Sequence, residues 1–117
     1  MTVRRLKTYT GSQGYVYQYY FVGKRTAADV SAATEYIFDV SSDRRTTYAV
    51  SVVLPQSVVA AWADAHARAL ADSEQYAAVK MRLFRAFDEL EDMQTSGRFL
   101  QVDSQSMEES LAALGVE

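Results

Sequence analysis

Apolar residues recur at every second position up to Leu54, and beyond Pro55 they recur at helical spacing. The first stretch, Val3 to Tyr9, alternates and meets TGSQG, where Gly11 and Gly14 can take the positive φ of a tight connection. Extended chain resumes at Tyr15 and reaches about Gly23, so these two segments predict a β-hairpin. TAADVSAA (26–33) has no period and reads as a loop or a single helical turn. In TEYIFDV the residues Tyr36, Phe38 and Val40 share a face, and in TTYAVSVVL so do Tyr48, Val50, Val52 and Leu54. SSDRR between them carries turn-forming residues, which makes a second hairpin.

Proline is tolerated in the first turn of a helix, and the Ala-rich run behind Pro55 predicts one from Gln56 to Leu70 with Val58, Trp62, Ala65 and Ala69 in a stripe. Asp72 and Gln75 have the spacing of a capping box, and the run that follows lacks Gly and Pro. Tyr76, Val79, Leu83, Phe87 and Leu90 line one side of that helix, with Met81 and Phe84 widening the stripe. Gly97 ends the segment, RFLQV reads as an edge strand, and Asp103 caps a last helix bearing Met107, Leu111 and Leu114 before Gly115.

Strands followed by helices predict one α+β domain: a four-stranded antiparallel meander, five-stranded if 98–102 joins it, with two main helices on one face and a short C-terminal helix. The expected parts are a sheet over 1–54, a helical hairpin over 55–93, and an edge strand with a short helix over 98–115. At 117 residues, folding hides about two thirds of the unfolded surface, enough for a core without staples. With no cysteine, disulfide scaffolds, thiolate metal sites and cysteine nucleophiles are excluded. No run approaches the ~18 apolar residues of a membrane span, so a cytoplasmic protein is expected.

Net charge is only −3, but it is unevenly spread. Residues 1–50 carry seven Lys and Arg against four acids, and residues 51–117 carry five against eleven. Two faces of opposite sign would orient a partner or a second copy.

Candidate chemistry centres on YVYQYYFVGKR (15–25). Its odd positions Tyr15, Tyr17, Tyr19 and Phe21 face one way, and Val16, Gln18, Tyr20 and Val22 face the other. Helices can cover only one side of such a sheet, so the other must meet solvent, a subunit or a ligand. Tyrosines are ordinary in sheets, supply large contact areas at interfaces, and can stack on bases. Tyr17, Tyr19, Tyr20, Lys24 and Arg25 are therefore candidate interaction residues, as are Asp88, Glu91 and Asp92 in the acidic run DELED. Those three acids share a helical face and could dock a basic partner or hold a hard cation, although they oppose the helix dipole.

GSQG has the spacing of a nucleic-acid clamp but joins strands rather than helices, so it reads as a hairpin loop. His66 is the only histidine and falls one turn after Trp62; without a second histidine, an HExxH or a nucleophile elbow it reads as a packed helix residue. Phosphate-loop and dinucleotide fingerprints are absent, and no metal or cofactor is expected. The favoured expectation is a protein-interaction module that self-associates. Its alternatives are a single-stranded nucleic-acid or regulatory binding protein and, third, an enzyme built on His66.

Overall fold

The protein is seen in a computed structural model that describes residues 6–27 and 32–116. Chain order is β1 (Lys7–Thr10), β2 (Val16–Thr26), β3 (Ala33–Ser41), β4 (Tyr48–Pro55), α1 (Gln56–His66), α2 (Asp72–Glu89), α3 (Met93–Ser96), β5 (Phe99–Gln101) and α4 (Ser104–Ala113). One sheet holds all five strands in the order β1-β2-β3-β4-β5. The first four form the antiparallel meander that alternation predicts. The fifth lies parallel to β4, because the chain leaves the far end of β4 and crosses back through helices to the end where β4 begins, as parallel pairing requires. The early part of the predicted first strand, and residues 28–31 of the 26–33 loop, lie outside the described residues.

Register explains which side chains meet the helices. The row Phe21, Phe38 and Val50 faces them, as does the row Tyr19, Val40 and Tyr48. Tyr17, Tyr19, Tyr36, Phe38, Val40, Val50, Val52 and Leu54 are buried there with Trp62, Val79, Leu83, Phe87, Met107 and Leu111. Rings interlock at this boundary: Tyr17 stacks on Phe87 at 4.3 Å and Tyr9 on Phe84 at 4.5 Å. Such pairs each stabilise by roughly 0.5–1.5 kcal/mol beyond burial itself.

The helix ends depart from expectation in instructive ways. α1 stops at His66 rather than near Leu70, because Ala67 adopts a left-handed conformation (φ 56°) and donates its N–H to the Ala63 carbonyl. Its predicted stripe is cut short, and Ala65 and Ala69 are exposed. The cap of α2 also shifts by one residue and is one-sided: the Glu74 carboxylate accepts from the Ala71 N–H, while the Gln75 side chain donates to the Leu70 carbonyl. α1 and α2 do not lean mainly on one another as a helical hairpin; α4 packs against both. Asp103 caps α4 as expected, accepting from the Ser106 N–H at 2.7 Å.

Candidate functional site: the outer face of the sheet

The tyrosine strand divides at a bulge. Up to Phe21 the pairing with β3 is regular, but Gly23 rather than Val22 pairs with Ile37. One extra residue in a strand reverses the alternation beyond it. Lys24 therefore joins the helix side, opposite Tyr36, and Arg25 joins the outer side, opposite Glu35.

The candidates that looked contiguous in sequence are thus separated. Tyr17 and Tyr19 are 2% and 4% exposed, so both are core residues and neither offers a contact surface. Burial pushes their phenol pKa values up. Tyr20 lies on the outer face and donates to Asp39 at 2.7 Å. Arg25 reaches Glu35 at 2.9 Å, and Ser51 donates to the other oxygen of that carboxylate at 2.6 Å. Hydrogen bonds from Arg25 and then Ser51 hold the Glu35 pKa below its ordinary value.

Two rows set out this face across the sheet: Gly23, Ile37, Ser51 and Phe99, then Arg25, Glu35, Val53 and Gln101. Val16, Val22 and Phe99 are 37%, 38% and 84% exposed, and Tyr20, Ile37 and Val53 are half-buried. Among the described residues no helix packs over this surface; the core and the helices lie on the opposite side. Apolar side chains are therefore spread over this face from β2 to β5, with hydrogen-bonded polar residues between them.

The acidic run has a different use. Asp88 accepts from the Tyr9 hydroxyl at 2.9 Å and from the Ser12 N–H at 2.9 Å. Ser12 and Gln13 donate side-chain hydrogen bonds to its carbonyl. The hairpin loop thereby supplies donors to the end of α2, where helix carbonyls lack partners. Gly11 fits there because a Cβ would come within 2.9 Å of the Phe87 carbonyl oxygen. Asp92 caps α3 through the Thr95 N–H and hydroxyl. Only Glu91 of the three is left exposed with no such bond. Among the described residues no three His, Asp or Glu side chains converge as a metal site.

His66 stacks on Trp62 at 4.1 Å with the rings nearly parallel, and its Nε2 lies 2.9 Å from Glu108. An acid is within reach, yet the pair sits on the helical surface and joins α1 to α4. Two concavities lie elsewhere. One, of about 220 Å³, is lined by Arg82, Arg85, Glu89, Gln101, Asp103 and Ser106. Another, of about 180 Å³, lies beside Met81, Arg85, Glu109 and Ser110. Both are smaller than the ~300–1,000 Å³ of ordinary ligand pockets. Arg82 is spent on the Gln101 carbonyl and Arg85 on Glu89 and Glu109.

Sequence reasoning reached the open face but missed Ile37, Val53 and Phe99 as members of it. The signal available was parity: each is out of step with the core positions of its own strand. No helix of the described residues is long and apolar enough to cross a membrane. Comparison with known protein families, curated proteins and solved structures finds no match for this chain.

Proposed function

We propose that this chain is a small protein-interaction module that self-associates through the outer face of its sheet. The observation that carries the reading is the set of outward apolar side chains Val16, Tyr20, Val22, Ile37, Val53 and Phe99, interspersed with polar residues, on a sheet whose other side holds the helices. Strands spaced ~4.8 Å apart and rising ~3.3 Å per residue give a five-stranded face of roughly 600 Å². A standard interface buries about 800 Å² per partner, so this face supplies most of one.

A second copy suits it better than a charged partner. Glu35 balances Arg25, and the Asp39 carboxylate, which accepts from Tyr20, keeps its charge, so the face carries an isolated charge rather than a strong patch of one sign. Strong one-sign patches are what select oppositely charged partners. Tyrosine and Phe99 add contact area at small entropic cost. At the acidic end of α2, Asp88 holds the hairpin loop and Asp92 caps α3, which favours the sheet face over the acidic run in this reading.

Sedimentation equilibrium across rising protein concentration tests this. The expected result is a mass approaching twice that of the chain at high micromolar concentration, with Ile37→Lys remaining a folded monomer. A wild-type chain that stays monomeric there overturns the reading.

A further inference from the structure

On the opposite side of the sheet, a second surface gathers charge around rings. The chain has three lysines, Lys7, Lys24 and Lys80, and all three border one aromatic cluster. Lys7 pairs in register with Tyr19, and Lys24 pairs with Tyr36, whose ring centroid is 5.8 Å from its ammonium. Lys80, on α2, holds its ammonium 5.7 Å from the Tyr76 centroid and 5.6 Å from that of Phe84. Between these charges lies Phe21, more than a third exposed and edge-on to Tyr76 at 5.0 Å.

These lysines differ from three of the arginines in one respect. Arg25, Arg68 and Arg85 each hold a carboxylate. None of the three lysines forms an ion pair with a described residue. Lys7 pairs with Tyr19, whose ring lies 5.6 Å from the Phe84 ring that Lys80 also borders, and burial first, then Lys7, lowers the Lys80 pKa. Two ammonium groups that border the same rings without an ion pair repel, and an anion seated there would relieve both. On the neighbouring end of α2, Asp88 holds the Tyr9 hydroxyl. The excess acid of the helices is screened beyond a Debye length of ~10 Å at moderate salt.

We propose that this lysine-bordered strip of rings binds nucleotides, free or within a single strand, with phosphate at Lys7 and Lys80 and a base against Phe21 and Tyr76. Aromatic stacking beside cationic side chains is the general means of holding single strands without sequence preference. The bulge at Val22 makes the site, since without it Lys24 would point away from these rings. This surface is separate from the self-association face, so the two proposals stand or fall independently.

Fluorescence anisotropy with a labelled short oligothymidylate, at low and rising salt, tests it. Dissociation constants in the range of ~10⁻⁴ to 10⁻⁶ M are expected. Lys7→Gln with Lys80→Gln should weaken binding on the order of tenfold and flatten the salt dependence by about 0.7 in slope for each phosphate no longer neutralised. Phe21→Ala should weaken it by about fivefold or more without changing that slope. Arg44→Gln with Arg45→Gln, on the β3–β4 turn, should leave it unchanged. Competition by adenosine monophosphate identifies a free nucleotide as sufficient; its failure to compete assigns the strand. No binding at low salt overturns the proposal, as does loss through the Arg44 and Arg45 changes. Equal competition by inorganic phosphate removes the role of the rings, and tighter binding of a phosphopeptide removes the nucleotide.

Discussion

On the helix side of β2, Tyr17 and Tyr19 are closed off from solvent by Phe84 and Phe87, whereas on the other side Tyr20 keeps its ring half in water and its hydroxyl on Asp39. The three tyrosines lie within four consecutive residues and are chemically identical. Parity and the packing of α2 alone decide that two are core and one is surface. A tyrosine-rich strand therefore says little about function until each ring has been assigned a side.

The contrast can be broken by substitution. Phe87→Ala, which empties the position against Tyr17, should cost about 3–5 kcal/mol of stability in urea unfolding. Val22→Thr on the outer face should fall within about 0.5 kcal/mol. Equal costs would mean that the outer face is as closed as the inner one. Next in size is Asp88→Ala, which removes the acceptor for Tyr9 and Ser12 and should cost about 1–3 kcal/mol. Because burial and then the Asp88 hydrogen bond raise the Tyr9 pKa, that variant should also let Tyr9 ionise at lower pH in an ultraviolet titration. Tyr20→Phe, which deletes one hydrogen bond on a half-exposed ring, should cost about 0.5 kcal/mol.

The smallest effect is a pH dependence. Hydrogen bonds from Arg68 and then the Ala71 N–H bring the Glu74 pKa down to about 2, and Glu35 on the outer face is lowered in the same direction. A carboxyl whose folded pKa is depressed stabilises above its unfolded value, about 4.3, and loses that contribution as pH falls through the folded one. Melting temperature should therefore decline between those limits. Glu74→Gln should flatten the decline more than Glu35→Gln, and an unchanged acid limb in both would show that these pairs do not hold the fold.

Much of the fold is legible in the sequence because the change of period at Pro55 is abrupt and the core positions of β3, β4 and α2 repeat cleanly. The bulge at Val22 is harder to see: a glycine inside a strand pattern is its usual sign, but Gly23 reads equally well as the strand's end. That one residue sends Lys24 and Arg25 to opposite sides. The end of α1 carries no Gly or Pro, so Ala67 in a left-handed conformation leaves no mark in the pattern. Asp88 looks like part of a free acidic run because its partners, Tyr9 and Ser12, lie more than seventy residues away in the chain. Non-local bonds of this kind have no periodicity to betray them. The parallel pairing of β5 rests on three residues, too few to show a direction.

The outer face contains the only isoleucine in the chain, Ile37, in the row between Gly23 and Ser51. Labelling its δ1 methyl gives a single resonance, whose broadening by a soluble paramagnetic agent reports directly whether the face is covered. If copies pair through it, the methyl is broadened strongly in dilute protein and protected at high micromolar concentration, with its shift moving in step. A methyl equally accessible at every concentration would contradict self-association through this surface.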